Sequence, residues 1–211
     1  MEGKKSAYLK PAILFLSIIH CVGIAGLYND STKNIFGQLV PFNILLSIAV
    51  LFYFHHRWTG RSVTSMIIIL LAGFFTELIG VNTGWIFGDY YYGNSLGWKI
   101  MHTPVIIGLN WLMLIYIAEV TVRRISPGKL MPFLGAAMLT SMDYFVEGVA
   151  IKFDLWHWQN GMVPLQNYVA WFCISLLMLW FFSRMKTVER NELATPLLII
   201  QALFFLILNI L

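Results

Sequence analysis

The stretch Glu77-Leu-Ile-Gly-Val-Asn-Thr-Gly-Trp-Ile-Phe-Gly-Asp-Tyr-Tyr-Tyr92 begins inside an apolar run and leaves it through a segment rich in glycine and aromatic residues. It carries two carboxylates, Glu77 and Asp89. A charged side chain at the centre of a bilayer costs roughly 2.5–3.5 kcal/mol on insertion scales, so such residues usually serve a function. The stretch therefore indicates a membrane helix that brings an acid close to the membrane surface.

The composition of the whole chain agrees with a membrane protein. Of its 211 residues, 59% are hydrophobic and only 11% are charged, and the mean hydropathy is +0.74. These values lie far outside the range of soluble domains. The net charge of +4 is small and is spread among the loops, so we expect no nucleic-acid partner. The two cysteines lie in apolar runs and no Cys/His spacing suggests a metal, so we expect no metal site.

Seven apolar runs are long enough, or nearly so, to cross about 30 Å of hydrocarbon. Because a spanning backbone must satisfy its own hydrogen bonds, each run is expected to be a helix. We therefore predict an all-α, polytopic membrane helix bundle that forms a single integral-membrane domain over residues 1–211. The runs cover approximately residues 11–28, 36–54, 63–81, 104–122, 130–151, 168–183 and 195–211.

The positive charges orient this predicted bundle. The N-terminus and the second, fourth and sixth loops hold 11 lysines and arginines, whereas the opposite side holds 3. The positive-inside rule therefore predicts a cytoplasmic N-terminus and a C-terminus on the outer side. No clean small-x-small cleavage site follows the first run, so we expect it to remain as a transmembrane helix.

Asp143 and Glu147 are four residues apart on the fifth predicted helix and so share one of its faces. Two carboxyls about 5–6 Å apart in a low dielectric cannot both ionise cheaply, so one is expected to keep its proton. Such a pair suits general acid and general base catalysis. The alternative is a structural role in hydrogen bonding to neighbouring helices. Glu77 is predicted on the same side and no basic residue shares these helices, which favours a function.

Three other groups have simpler interpretations. Trp156-His157-Trp158 is typical of an aromatic belt at the membrane interface. His55 and His56 lie at the predicted cytoplasmic interface, where a solvated anchor is expected. His20 is expected to be a hydrogen-bonded residue of the bundle rather than a catalyst.

Two sets of spaced motifs resemble a known family. The first set is Glu77-x-x-Gly80-x-x-Thr83-Gly84-x-x-Phe87-Gly88-x-Tyr90-x-Tyr92, then Pro104, then Trp111. The second set is Asp143-x-x-x-Glu147-x-x-Ala150, Trp156-x-Trp158, Gly161 and Pro164-Leu165-x-Asn167-Tyr168-x-x-Trp171. Over roughly residues 70–175 the chain resembles the membrane carotenoid-biosynthesis family, which includes CruF-type carotenoid hydratases and bisanhydrobacterioruberin hydratase. It departs from the family pattern at Gly148, where proline is frequent, and at Asn110, where a small residue is usual.

The resemblance implies a hydro-lyase that adds water across the terminal double bond of an acyclic carotenoid end group and yields a tertiary alcohol. The residues fit that chemistry, because protonating the alkene needs a well-placed acid and water addition needs a carboxylate to accept a proton. Aromatic faces would stabilise the intermediate cation. Neither a cofactor nor a metal is implied.

The implied partners follow from the substrate. The carotenoid would enter from the bilayer, whereas water would come from the outer interface. Lipid and other enzymes of the carotenoid pathway are further expected partners. The expected location is the cytoplasmic membrane of a bacterium or an archaeon.

We assign the candidate roles as follows. Asp143 and Glu147 are the predicted acid and base, with Glu77 or Asp89 as a second participant, and the proton donor is left open. The predicted substrate- and water-binding residues are polar and aromatic side chains of the outer half, namely Thr83, Trp85, Tyr90, Asn110, Trp111, Trp156, Trp158 and Asn167.

Two alternatives remain open at this stage. A membrane lycopene cyclase would protonate a similar end group but quench the cation with an internal double bond instead of water. A non-catalytic carotenoid- or lipid-binding membrane protein is the second alternative. A retinal protein is disfavoured, because no lysine lies inside a predicted span to form a Schiff base.

Overall fold

The computed structural model describes residues 2–186 and 190–211, in which eight helices and four short strands are found. The helices are α1 (Glu2–Tyr28), α2 (Lys33–Gln38), α3 (Val40–Tyr53), α4 (Gly60–Thr83), α5 (Ile106–Ile125), α6 (Met131–Lys152), α7 (Leu165–Met185) and α8 (Ala194–Ile210). The strands are β1 (Tyr90–Tyr92), β2 (Lys99–Ile100), β3 (Thr103–Pro104) and β4 (Trp156–Trp158).

The predicted all-α membrane bundle is confirmed. Five of the described helices, α1, α4, α5, α6 and α7, are long and apolar enough to cross a membrane, whereas α3 and α8 are shorter apolar helices. Together they correspond to the seven predicted runs. The second run divides into α2 and α3, because Pro41 lies in the first turn of α3 and has no amide hydrogen to continue the preceding helix. The strands, which were not predicted, pair as two small antiparallel sheets, β1 with β4 and β2 with β3.

Helix α5 forms the centre of the bundle. Its residues from Trp111 to Val122 are all buried, and it packs against α3, α4, α6, α7 and α8. Gly73 allows α4 to approach it closely, since a Cβ atom at this position would collide with the side chain of Trp111. This close contact places the C-terminal half of α4, which carries Glu77, directly against α5.

The end of the bundle that holds most of the basic residues is closed by a polar network. His55 is 1% exposed. Its Nε2 donates to the Arg57 carbonyl at 2.9 Å, and its Nδ1 is hydrogen-bonded to the Tyr116 hydroxyl at 2.8 Å. The predicted solvated anchor is therefore wrong for His55, whose pKa is lowered chiefly by burial. Asn191 joins the same network through Tyr116 at 3.0 Å. The orientation of this end across a membrane stays a prediction.

Candidate functional site

The opposite end carries the acids, and the β1–β4 sheet organises them. Tyr90 pairs with Trp158 and Tyr92 pairs with Trp156. Because side chains alternate along a strand, these four aromatic residues share one face of the sheet. That face points into the bundle, whereas Tyr91, on the other face, is exposed. Two pairs of hydrogen-bond donors are thereby presented side by side to the helices.

The two tyrosines bind Glu77. Both hydroxyls donate to its Oε2, at 2.7 Å from Tyr90 and 2.6 Å from Tyr92, and the indole nitrogen of Trp111 donates to Oε1 at 2.9 Å. Burial, followed by the charge of Glu77, raises the pKa of both phenols well above its usual range, so they remain O–H donors. The carboxylate is buried, and Trp111 is itself fixed by stacking on Trp171 at a ring distance of 4.2 Å. We call these four hydrogen-bonded residues, Glu77, Tyr90, Tyr92 and Trp111, the Glu77 cluster.

The two tryptophans of β4 bind Glu147. Their indole nitrogens donate to Oε2 at 2.9 Å from Trp156 and 2.8 Å from Trp158. The amide nitrogen of Asn167 donates to the other oxygen, Oε1, at 3.1 Å. The interpretation of the Trp156–Trp158 segment as an aromatic belt is therefore incomplete, because both indoles point inward to a carboxylate.

Asn167 also binds Asp143, so one amide connects both acids of α6. Its nitrogen donates to Asp143 Oδ2 at 2.9 Å, in addition to Glu147 Oε1. All three side chains are buried. The remaining oxygen, Asp143 Oδ1, accepts no hydrogen bond from residues 2–186 or 190–211. We call Asp143 and Glu147, connected by Asn167, the acid pair.

Two cavities meet at the acid pair. The larger, of about 120 Å³, is mainly apolar, and Asp143 forms part of its wall. The smaller, of about 40 Å³, is lined by the aromatic residues of both strands and includes Glu77, Glu147 and Asn167. Four residues line both cavities, namely Ile107, Asn110, Trp156 and Trp171. The site can thus hold an apolar ligand in contact with one acid, while the other acids lie behind an aromatic wall.

Asn110 and Gly148 are the two residues for which the sequence resemblance indicates a departure from the family's motifs. Asn110 is half-buried between the two cavities and has no hydrogen-bond partner in the part of the chain that the structure describes. A Cβ atom at Gly148 would collide with Asn209 of α8, whose side-chain nitrogen donates to the Phe145 carbonyl at 2.6 Å. Gly148 therefore allows α8 to pack closely against α6.

Three of the predicted site residues are not brought to the acids. Asp89 and Thr83 are exposed, and Trp85 is 83% exposed. The Thr83 hydroxyl donates to the Ile79 carbonyl of its own helix at 2.6 Å. The reason is Gly84, which adopts a left-handed conformation (φ +69°), ends α4 and turns the chain away from the bundle. The structure brings together the other predicted residues, Glu77, Tyr90, Asn110, Trp111, Asp143, Glu147, Trp156, Trp158 and Asn167.

Two residues of the site were not among the predicted site residues. Tyr92 donates to Glu77, and Trp171 stacks on Trp111 and lines both cavities. The spacing Tyr90-x-Tyr92 was the available signal, because residues two apart share a face in a strand. Within the described ranges, no group of three or more His, Cys, Asp or Glu residues is arranged to hold a metal ion.

Fold and site together define a polytopic helical membrane protein with three buried acids beside an apolar cavity. A family model described as "Carotenoid biosynthesis protein" matches residues 39–211. The chain belongs to this family, and the resemblance predicted from its motifs is confirmed. The match extends beyond the predicted region of 70–175 and includes α3 and α8.

One curated relative is similar over part of its length. The chain is 29% identical over 126 residues to bisanhydrobacterioruberin hydratase of Haloarcula japonica, which corresponds to 53% of this chain and 41% of that protein. The chain thus spans less than half of the relative that it matches. No solved structure matches the chain.

Proposed function

We propose that the protein adds water across the terminal double bond of an acyclic carotenoid end group and gives a tertiary alcohol. The observation that carries the proposal is the acid pair, connected by Asn167, with Asp143 forming part of the wall of a mainly apolar cavity. Membership of a carotenoid-biosynthesis family and similarity to a carotenoid hydratase support the substrate class and the reaction.

Asp143 is the proposed proton donor. An ionised carboxylate is an acceptor that needs donors, and Glu147 receives three N–H groups whereas Asp143 receives one. The charge of the pair is therefore better stabilised on Glu147. Asp143 also lines the larger cavity, whose mainly apolar wall suits an apolar end group. These two differences support a carboxylic acid at Asp143 and a carboxylate at Glu147.

The reaction then follows from these positions. The O–H bond of Asp143 breaks, a C–H bond forms at the less substituted alkene carbon, and the tertiary carbon becomes cationic. The faces of Trp156 and Trp171, which line the cavity, stabilise that charge. The oxygen of a water molecule binds the tertiary carbon, and the proton released from it returns to the acid pair. The pair ends in its original protonation state, and the net change is the addition of one water.

The bilayer supplies the substrate in this proposal. The helices α1, α4, α6 and α7 expose large apolar side chains outward, as expected for lipid contact. In this proposal the membrane is the cytoplasmic one, and the distribution of lysine and arginine supports an orientation with the acid pair toward its outer side.

The proposal is tested by expressing the chain in a host that accumulates lycopene and weighing the extracted pigments. We expect a pigment that has gained one water at one or both ends. An isomer of lycopene with shorter conjugation would support the cyclase instead, and unchanged lycopene beside a normally expressed membrane protein would contradict the proposal for this substrate. Asp143→Asn, expressed to the same level, provides the matched negative control.

A further inference from the structure

Four polar side chains line the larger cavity in addition to Asn110 and Asp143. They are His20 of α1, Asn43 and Ser47 of α3, and Gln201 of α8, and we call them the acceptor patch. The rest of the cavity wall is mainly apolar. The buried atoms Asn43 Oδ1, Ser47 Oγ and Gln201 Oε1 have no hydrogen-bond partner in residues 2–186 and 190–211. Buried polar atoms without a protein partner usually bind a ligand or an internal water.

The hydrogen bonds that these residues do make show which ligand they require. His20 Nδ1 lies 2.8 Å from the Leu16 carbonyl oxygen, which only accepts, so Nδ1 carries the hydrogen and Nε2 is an acceptor in the neutral ring. The amide nitrogen of Gln201 donates to the sulfur of Met113 at 3.6 Å, which leaves its oxygen as the free atom. The patch therefore presents mainly acceptors, which the two O–H groups of a water molecule can satisfy.

Three of the four residues of the acceptor patch lie at about the same depth as Asp143, whereas Asn43 is one turn of α3 nearer the β1–β4 sheet. His20, Ser47, Gln201 and Asp143 are seven to nine residues from the ends of their helices nearest the β1–β4 sheet. At 1.5 Å per residue, this corresponds to about 10–14 Å. The ends of α1, α6 and α8 are level with one another, because they meet in one apolar cluster of Leu27, Val149, Phe153 and Leu208. The acid and the patch thus face the same part of one cavity.

We infer that the acceptor patch holds the water molecule that attacks the cation formed when Asp143 protonates the substrate. This inference rests on the proposed function and extends it to the source of the second reactant. The water oxygen forms the C–O bond, and its released proton passes to the acid pair. Without a held water, the same cation loses a proton to give an isomeric alkene or closes onto an internal double bond. The patch would therefore determine whether the product is hydrated.

The test measures the ratio of hydrated to isomerised or cyclised pigment, with lycopene as substrate. Ser47→Ala and Gln201→Met are expected to lower this ratio about tenfold each, the effect of one lost hydrogen bond. Lycopene has no hydroxyl group, so an effect seen with it concerns water rather than a hydroxyl of the substrate. Ser175→Ala is the matched control, because Ser175 Oγ is also buried without a partner in the described chain but does not line the cavity.

An unchanged ratio in variants that still turn over lycopene would overturn the inference, as would equal loss of all products at normal protein levels. An effect limited to hydroxylated carotenoids would overturn it too, since the patch would then bind substrate. If the wild-type chain forms no hydrated pigment, the proposed function fails first, and the two failures are distinguished in this way. Protein levels in the membrane fraction are measured for every variant, and the test rests on Ser47→Ala, the milder of the two substitutions, if Gln201→Met does not accumulate.

Discussion

The Glu77 cluster and the acid pair are neighbours, but their carboxylates differ in the number of hydrogen bonds that they accept. Glu77 accepts three hydrogen bonds from tyrosine and tryptophan, and both of its oxygens are engaged. In the acid pair, Glu147 also accepts three, but Asp143, which lines the larger cavity, accepts one. The two strands, together with Trp111 of α5 and Asn167 of α7, thus engage both oxygens of two acids, whereas the third acid accepts a single hydrogen bond.

The difference separates positioning from chemistry. The Glu77 cluster connects α4, β1 and α5, so its hydrogen bonds fix the strand that carries Tyr90 and Tyr92 against the bundle. A carboxylate whose two oxygens both accept hydrogen bonds is stabilised in its ionised form and is less suited to exchanging a proton during a reaction. We therefore expect Glu77 to matter for stability and the acid pair to matter for turnover.

The largest effect is expected for Asp143→Asn. The amide cannot donate a proton to an alkene, so hydration should fall by about 10²–10⁴-fold, the usual contribution of general acid–base catalysis. The fold should be retained, because the asparagine oxygen can still accept the hydrogen bond from Asn167. Pigment analysis at matched protein levels measures the loss.

Asp30→Asn is the matched control for this variant. Asp30 is an exposed carboxylate that is paired with Lys33 at 2.8 Å between α1 and α2. Its replacement should leave turnover unchanged. If normally folded Asp143→Asn protein hydrated lycopene at the wild-type rate, Asp143 would have no part in the chemistry and the comparison would lose its basis.

Glu77→Gln should act in the opposite way, on stability more than on turnover. Its NH₂ group would face N–H and O–H donors that now bind a carboxylate oxygen. The expected cost is about 1.5–3 kcal/mol of unfolding free energy, the range for hydrogen bonds to a charged group. Thermal denaturation in detergent measures it, together with turnover per folded molecule. If the variant kept wild-type stability but lost turnover, Glu77 would instead take part in the reaction.

Tyr92→Phe weakens the same cluster by one donor. Glu77 keeps its hydrogen bonds from Tyr90 and Trp111, so we expect a loss of about 1 kcal/mol in stability and little change in turnover. Tyr91→Phe is the control on the same strand, because Tyr91 lies on the exposed face. Equal destabilisation by both variants would show that the hydroxyl contact with Glu77 contributes nothing.

Much of the bundle could be predicted from the sequence, because hydropathy and length directly determine which segments cross a membrane. The predicted run 63–81 corresponds to α4 (Gly60–Thr83), and 130–151 corresponds to α6 (Met131–Lys152). The strands could not be predicted with the same method. They are only two or three residues long, and each pairs with a segment far away in the sequence or across a tight turn.

The difference between local and long-range information also explains which parts of the site could be predicted. Asp143 and Glu147 were predicted as a pair because helical spacing is local information. The donors to Glu147 were not predicted, since Trp156 and Trp158 reach it only when β4 has paired with β1. Asp89 was predicted as a possible second participant in the chemistry, but it follows the left-handed turn at Gly84 and is exposed.

Asp154 extends the comparison to an exposed acid and should give the smallest effect. His157 donates to it at 2.7 Å and the amide of Asn94 at 3.1 Å, and the hydrogen bond from His157 is the main cause of its lowered pKa. A lowered pKa in the folded state stabilises the protein above the ordinary value of about 3.9, and this contribution is lost as the pH falls through the folded-state value. Because the side chain is 54% exposed, the contribution should stay below about 1 kcal/mol.

Asp154→Asn should therefore lower stability slightly at neutral pH, and its difference from wild type should shrink as the solution is acidified below pH about 3.9. Asparagine tolerates the left-handed backbone of this residue (φ +55°), so the substitution tests the charge rather than the turn. Unfolding of both proteins across the acid range measures the difference. A gap that widened in acid would mean that the Asp154 carboxylate opposes folding, and the exposed acid would then contrast with Glu77 in the sign of its contribution as well as in its size.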